Sequence, residues 1–271
     1  MPAVSKVMGI ISIKGGVGKT TTVVNLASCL ANTYNKKVLV VDANFSSPNI
    51  SLHLGSVDHK NTLHDVLKNK VNITKAVHDH EFGFHFIPCS LKTDEKVNYM
   101  GLKNKIESIK KYYDYILIDS SPSLNQEILA AISAADRLYV VSTPDLPTLS
   151  TTLRAAKLAK QKGMQIAGLI LNKVRGKNYE ISSKDMEELT GIPIVAVLKE
   201  NTRVLESLSK VKPITMYSPS SNVSREYNKL AAYICGEQYK EPNIMSKTIG
   251  YLKDDLNNFI NHDFKKSMRY Y

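Results

Sequence analysis

The feature that most constrains this chain is a glycine-rich segment at residues 14–21, which reads KGGVGKTT. An apolar run at residues 6–13 precedes it, and apolar residues recur at helical spacing over residues 19–32. In this order of strand, glycine loop and helix, backbone N–H groups can approach an anion closely, and the positive end of the helix dipole points at the same place. The segment therefore predicts a phosphate-binding loop.

The residue types in this loop predict separate roles. Lys19 is expected to reach the β- and γ-phosphates of a nucleotide. The Thr20 hydroxyl is placed to coordinate Mg²⁺, which prefers oxygen ligands. The predicted nucleotide-binding residues of the loop are Gly15, Gly16, Val17, Gly18, Lys19, Thr20 and Thr21.

Short apolar, β-branched runs alternate along the chain with amphipathic helical patterns, which is typical of βα units around a mostly parallel sheet. Strands are predicted at residues 6–13, 37–42, 84–88, 114–119, 137–143, 165–171 and 193–198. Helices are predicted at 19–32, 96–111, 125–135, 148–162, 182–190, 201–209 and 221–235. We predict an α/β fold, in which one P-loop domain spans residues 1–242 with helices on both faces of the sheet. An amphipathic helical tail is predicted at residues 243–271.

Two of the predicted strands end in an aspartate: KVLVVD ends at Asp42 and DYILID at Asp119. Ligands in open parallel sheets bind at the carboxyl ends of the strands, so these side chains and the glycine loop should meet in one crevice. Asp119 is the expected carboxylate for Mg²⁺, either directly or through a water, and capping of the following turn is the alternative. For Asp42 the alternative is a turn-forming role, since aspartates often follow parallel strands.

Composition narrows the class of protein. The net charge of +11 favours acidic partners such as nucleic acid or anionic lipid. The three cysteines, Cys29, Cys89 and Cys235, are far apart, which argues against a disulfide framework or a paired-cysteine metal site. The first apolar run is too short to cross a bilayer and no cleavage signal follows it, so we expect a cytoplasmic protein.

The glycine segment, with Lys14 at its start, resembles the deviant Walker A motif of the MinD/ParA family of ATPases. The likeness continues through VVDANFSSPNISLHLG, YDYILIDSSPSL, LILNKV and LKENTRVLESLSKVKPITMYSPSSNVSREYNKLA, and so covers nearly all of residues 6–235. The segment VVDANFSSPNISLHLG is similar to the family's first switch, and YDYILIDSSPSL is similar to its Walker B strand and second switch. The resemblance implies a mostly parallel sheet between helices.

In that family two subunits sandwich two ATP molecules, so the resemblance implies a homodimer with ATP and Mg²⁺ as ligands and a regulatory protein as a further partner. It implies that Lys14 reaches the phosphates bound by the partner subunit, as an arginine finger does. The alternative is that Lys14 only raises the local potential. Asn172 matches the asparagine whose amide reads the adenine edge, and a loop asparagine that caps the strand end is the alternative.

Asn44 departs from the family pattern. The first switch commonly reads D-x-D, whereas this chain reads Asp42-Ala43-Asn44. An asparagine can hold a water by a hydrogen bond but cannot accept its proton. We therefore expect slow ATP hydrolysis, and the alternative is a nucleotide-gated DNA- or partner-binding module with little or no turnover. The predicted catalytic residues are Lys14, Lys19, Asp42, Asn44 and Asp119.

Three outputs of such a switch are considered: membrane binding, DNA binding and delivery of a cargo or cluster. Delivery of a cluster needs paired cysteines, which this chain lacks. Seven basic residues and no acidic one lie between Asp145 and Glu180, and this basic stretch at residues 154–177 suits either non-specific DNA contact or a solvated surface. Residues 245–268 carry apolar side chains at helical spacing, as a peripheral membrane helix does, but packing on the domain or on a second subunit explains the pattern as well. Under the membrane-binding hypothesis we expect the chain at the inner face of the cell membrane, and under the DNA-binding hypothesis we expect it on the nucleoid.

Overall fold

A computed structural model describes residues 6–91 and 97–241. Its eight strands are β1 Lys6–Ile11, β2 Val38–Ala43, β3 His78–Asp79, β4 His85–Ile87, β5 Tyr115–Ser120, β6 Arg137–Ser142, β7 Ile166–Val174 and β8 Ile194–Lys199. They form one sheet in the order β3-β4-β2-β5-β1-β6-β7-β8. Among the described strands only the β3–β4 pair is antiparallel, which confirms the predicted α/β fold with a mostly parallel sheet.

The helices connect these strands. They are α1 Lys19–Asn32, α2 Ile50–His53, α3 Leu63–Leu67, α4 Leu102–Ile109, α5 Gln126–Ala134, α6 Leu146–Gln161, α7 Ser183–Thr190, α8 Thr202–Ser209, α9 Ile214–Tyr217 and α10 Asn222–Cys235. The predicted helix at 19–32 has the observed bounds of α1, and the one predicted at 96–111 is a shorter α4 flanked by two 3-10 turns. The sequence analysis missed α2, α3, α9 and β3, which are too short to show a periodic pattern.

The sheet is covered on both faces because successive side chains of a strand point to opposite sides. Met8 and Ile10 of β1 belong to the core beneath α1 and α10. Val7 of the same strand belongs to the opposite core, beneath α4 and α5, and Ile11 belongs to the core beneath α6 and α7. A strand buried on both faces is the expected arrangement for a parallel sheet.

The crossover order places three polar strand ends side by side. β5 lies between β2 and β1, so Asp42 and Asp119 are register partners on adjacent strands. Asp119 also lies opposite Ile10, close to the point where β1 enters the glycine loop. The predicted convergence of the loop, Asp42 and Asp119 at one edge of the sheet is confirmed.

The described residues up to Lys240 form one compact unit. The predicted domain end at residue 242 and the predicted tail at 243–271 lie outside the described residues, so both stay predictions. Within residues 6–91 and 97–241, no helix is long and apolar enough to cross a membrane.

Candidate nucleotide-binding site

The glycine loop takes its shape from two glycines with left-handed backbones. Gly16 has φ 77° and Gly18 has φ 96°, a region that residues with a Cβ rarely adopt. At Gly18 a Cβ would also overlap the side-chain nitrogen of Asn172. This position therefore requires glycine both for its backbone angle and for the close approach of β7.

Two side chains at the end of β7 bind the carbonyl groups of the loop. Asn172 Nδ2 donates to the Val17 carbonyl at 2.7 Å, and Lys173 Nζ donates to the Gly16 carbonyl at 2.8 Å. In a trans peptide group, the C=O of one residue and the N–H of the next residue point in opposite directions. The amides of Val17 and Gly18 are thus directed away from β7, as a loop that binds an anion requires.

The start of α1 has no side-chain cap. Its N-cap is Gly18, whereas five other helices have their first amides bound by an N-cap side chain. Those five caps are Asn125, Asp145, Ser182, Asn201 and Ser221. The uncapped first turn leaves backbone donors of α1 available to an anion, with the positive end of the helix dipole behind them.

Lys19, the first residue of α1, is only 7% exposed. Burial lowers the pKa of its ammonium group, and the negative charge of Asp119 partly opposes that effect. A buried ammonium group is costly unless an anion compensates it. A phosphate bound at the loop would supply that compensation.

Asp119 and Thr20 form the second polar group of the site. Thr20 Oγ1 donates to Asp119 Oδ2 at 2.6 Å. The other oxygen, Asp119 Oδ1, is buried, and no described residue donates a hydrogen bond to it. Burial raises the pKa of Asp119, against the opposing effects of Thr20 and Lys19. A carboxylate oxygen without a donor, next to a hydroxyl, is a donor set that suits Mg²⁺.

Asp42 organises the loop at residues 44–49, which we call the first-switch loop. Its Oδ1 accepts from the Asn44 amide, and its Oδ2 accepts from the Asn49 and Ile50 amides, each at 3.1 Å. Burial and the nearby Asp119 raise the pKa of Asp42, and these three hydrogen bonds act in the opposite direction. Asp42 therefore fixes the path of the loop and caps the start of α2, a role that strand-end position alone did not reveal.

Asn44 lies at the start of the first-switch loop and lines the nucleotide cavity. It is 4% exposed, and its Nδ2 donates to the Ser47 carbonyl. Its Oδ1 is buried and receives no hydrogen bond from the described residues. Asn44 thus has an acceptor oxygen without a partner, and one of its two amide donors is occupied.

A cavity of about 640 Å³ lies against the glycine loop, Lys19, Thr20 and Asn44. Its polar side is formed by the glycine loop, Asn44 and Asn172, and its opposite wall by α8 with the residues before it. The residues of that wall are Lys199, Glu200, Asn201, Thr202, Val204, Leu205 and Leu208. The sequence analysis assigned no site residue in this wall, although its likeness to the family's C-terminal region spans it. Asn172 lies at the cavity as predicted, and its contact with adenine stays a prediction.

His53, at the end of α2, also lines the cavity and was not predicted from the sequence. Its Nδ1 lies 3.0 Å from the Asn49 carbonyl and its Nε2 lies 3.4 Å from Thr21 Oγ1. A carbonyl can only accept, so Nδ1 carries the proton and Nε2 accepts from Thr21. His53 therefore links the first-switch side of the cavity to the glycine loop.

Lys14 turns away from the loop that it opens. Its Nζ lies 3.1 Å from Asp145 Oδ1 and 2.6 Å from Thr148 Oγ1 at the start of α6. Burial raises the pKa of Asp145, but hydrogen bonds from Thr143, Thr148 and Lys14 outweigh it and lower that pKa to about 2. The Asp145 carboxylate is thus charged, and it holds the ammonium group in an ion pair.

Five of the seven basic residues at 154–177 fall into two groups. Lys173 binds the glycine loop, and Arg175 forms an ion pair with Glu200 through two nitrogens. Arg154, Lys157 and Lys160 are exposed on α6. Lys173 therefore lines the nucleotide cavity and Arg175 pairs with Glu200, another residue that lines it, whereas the α6 residues remain as the candidate contact surface.

Comparison with known proteins gives this geometry a family. The "AAA domain" family matches residues 5–161, and the "4Fe-4S iron sulfur cluster binding proteins, NifH/frxC family" matches residues 127–259. An uncharacterized ATP-binding protein of Methanocaldococcus jannaschii is 32% identical over 86% of this chain and 89% of its own length. The septum site-determining protein MinD of Synechocystis is 28% identical over 86% of this chain and 90% of its own length.

The fold agrees with that relationship. The structure of the septum site-determining protein MinD of Pyrococcus horikoshii, complexed with Mg-ADP, superposes with a TM-score of 0.80 at 30% identity. It covers 85% of this chain and 96% of its own. Sequence, fold and loop geometry agree, and the chain belongs to the MinD/ParA family of P-loop ATPases.

Proposed function

We propose that this chain is an ATP-dependent dimerising switch that hydrolyses Mg-ATP slowly to drive intracellular positioning of a division site, a chromosome or another cargo. The observation that carries the proposal is the meeting of three features at one cavity of about 640 Å³. The clamped glycine loop and the uncapped start of α1 line this cavity, and the buried carboxylate of Asp119 binds the lining residue Thr20.

Binding of the triphosphate is assigned to the loop amides and to Lys19, because charge-assisted hydrogen bonds are the strongest that a protein can offer a phosphate. Thr20 and Asp119 would hold Mg²⁺, since together they present a hydroxyl and a buried oxygen that no described residue satisfies. The metal would neutralise charge on the β- and γ-phosphates. Asn44 Oδ1 would orient the attacking water without accepting its proton, which supports slow turnover.

Dimerisation is assigned to Lys14. In the single chain its ammonium group lies at α6, away from the phosphate loop. A lysine placed there is free to serve phosphates bound by a second copy once the ion pair with Asp145 opens. This supports the trans role that the family resemblance implies.

The alternative function is a nucleotide-gated binding module with little or no turnover. It is favoured by the same residue, because an amide at position 44 supplies an acceptor but no base. Steady-state phosphate release from the purified protein with saturating Mg-ATP separates the two functions.

We propose that the chain is cytoplasmic and that its ATP-bound state binds one of two surfaces. These are the inner face of the cell membrane, through residues 245–268, and the nucleoid, through the exposed basic residues of α6. A regulatory protein partner that stimulates hydrolysis belongs to the same proposal. Co-sedimentation with anionic liposomes and with plasmid DNA, each with and without ATP, distinguishes the two surfaces. ATP-dependent pelleting with one of them identifies it.

The site itself is tested by calorimetric titration of ATP into wild type and Lys19→Ala. Removing a buried charged donor should weaken binding by at least about 10-fold. Lys37→Ala is a matched control, because Lys37 is an exposed lysine before β2. Wild-type affinity in Lys19→Ala would remove the glycine loop from the nucleotide site.

A further inference from the structure

Glu127 is a buried carboxylate that none of the steps above uses. It lies in the first turn of α5, two residues after the N-cap Asn125, and is 5% exposed. Its Oε2 accepts hydrogen bonds from the backbone amide and from the hydroxyl of Ser46, both at 3.2 Å. Because a buried charge is costly without partners, this pair of bonds fixes the relative position of α5 and Ser46.

One end of this link belongs to a loop that lines the nucleotide cavity, and the other end lies just after such a loop. Ser46 lies in the first-switch loop, two residues after Asn44. On the other side, α5 begins directly after residues 121–125, which we call the second-switch loop. Pro122 of that loop lines the cavity together with Asn44. Glu127 therefore connects the loop that follows β2 to the loop that follows β5.

The first-switch loop is compact around Ser46. Asn44 Nδ2 donates to the Ser47 carbonyl, and the Ser47 amide donates to the Asn44 carbonyl at 3.3 Å. Phe45 is buried and its ring packs against His64 and Tyr99 at 5.3 and 4.7 Å between centroids. Ser46 therefore lies in a turn whose two ends, Asn44 and Ser47, are hydrogen-bonded to each other.

We propose that Glu127 is a positioning residue that couples the second-switch loop to the first-switch loop, so that a nucleotide bound beside Asp119 also fixes the orientation of Asn44. The inference rests on the proposed function, because it assigns Glu127 a part in the same nucleotide cycle. Glu127 acts through Ser46 and does not itself line the cavity.

Hydrogen–deuterium exchange of the full chain tests this coupling. In wild type, Mg²⁺ with a non-hydrolysable ATP analogue should slow exchange in both residues 44–50 and residues 120–126. In Glu127→Ala the analogue should slow exchange in residues 120–126 only. Turnover should fall roughly 2- to 30-fold, the range of a coupling contact, while ATP affinity stays within about 3-fold.

Glu187→Ala is a matched control. Glu187 on α7 also binds a backbone amide, that of Ile194 at the start of β8, so its loss removes a similar link elsewhere in the fold. This variant should keep the response of both switch loops. Glu127→Gln retains an acceptor oxygen for Ser46 and should restore most of the coupled response, which a general loss of stability would not do.

Protection of residues 44–50 in Glu127→Ala equal to that in wild type would overturn the inference. If Glu127→Ala does not fold, Glu127→Gln combined with Ser46→Ala removes the charge and one of the two hydrogen bonds and is measured in the same way. Absence of analogue binding to wild type would instead overturn the proposed function. The two failures are therefore distinguishable.

Discussion

Lys14 Nζ lies 3.1 Å from Asp145 Oδ1, so the lysine that opens the phosphate loop is held by the N-cap residue of α6. Asp145 uses the same carboxylate to bind the Thr148 amide at 2.9 Å. One carboxylate thus fixes the start of a helix and holds Lys14 at α6. Opening of this ion pair is the local change that a trans contact requires.

Lys14→Ala should abolish ATP-dependent dimerisation and leave ATP binding by the single chain within about 3-fold, because Lys14 is not directed at its own phosphate loop. Light scattering with a non-hydrolysable ATP analogue and Mg²⁺ measures the dimer, and calorimetry measures binding. Wild type should dimerise with the ATP analogue but not with ADP. Wild type that stays monomeric with the ATP analogue at a protein concentration on the order of tens of micromolar would contradict the model of a dimer that encloses two ATP molecules.

Gly18→Ala should lose nucleotide binding and stability together. Its left-handed backbone makes a Cβ unfavourable by about 1–2 kcal/mol, and the Cβ would also displace Asn172 from the loop. Gly163 provides a matched control, because it also has a positive φ, 68°, but has nothing within 4 Å of an added Cβ. Gly163→Ala should share the stability loss, measured by urea unfolding, and bind ATP as wild type does. Equal ATP affinity in both variants would show that Asn172 does not shape the loop.

The parts of the site that could be predicted from sequence are those fixed by local order along the chain. The bounds of α1 follow from apolar spacing, and Asp42 and Asp119 meet because each ends a strand of one parallel sheet. The carboxyl ends of such strands lie at one edge whatever the order of the strands. Local pattern and sheet geometry were therefore sufficient for this half of the site.

The remaining contacts depend on residues far apart in the chain. Lys173 binds the Gly16 carbonyl across 157 positions, and only the folded β7 brings the two together. Its charge alone made it part of a basic stretch. His53 belongs to a four-residue helix that has no periodic signal, and its imidazole meets Thr21 only when α2 lies beside α1. Tertiary placement, rather than residue type, assigns these two side chains.

His53 gives the chain a pH dependence. Burial lowers its pKa from the ordinary value of 6.5, and the hydrogen bond to the Asn49 carbonyl partly opposes this. The folded chain therefore binds fewer protons at this site than the unfolded chain, and the cost of charging His53 appears as pH falls through the unfolded value. Wild type should lose unfolding free energy more steeply than His53→Gln between about pH 7.5 and about pH 5.5.

Urea unfolding of both chains without nucleotide, at a series of pH values, measures this difference. The pKa of His59 is also lowered, by burial first, but His59 is present in both chains and cancels in the comparison. Parallel pH profiles would show that His53 has no altered protonation in the folded chain.

Asn44 is where the chain departs from its family in a position that touches chemistry. A complete general base contributes about 10²–10⁴-fold to a rate, but Asn44→Asp should raise kcat by only roughly 3- to 30-fold, with little change in ATP affinity. The amide now donates to the Ser47 carbonyl, and a carboxylate would face that oxygen without a proton to offer. Asp42 accepts a hydrogen bond from the backbone N–H of Asn44, and its carboxylate would repel a second carboxylate at position 44.

Asn44→Ala should lower kcat, because the buried acceptor that orients the water is then lost. Steady-state phosphate release with saturating Mg-ATP on wild type and both variants is the measurement. The two variants move the rate in opposite directions if Oδ1 contacts the attacking water, and a change in folding alone would lower both. Three equal rates would place Asn44 outside the reacting groups, and its unsatisfied oxygen would then belong to the structure of the first-switch loop alone.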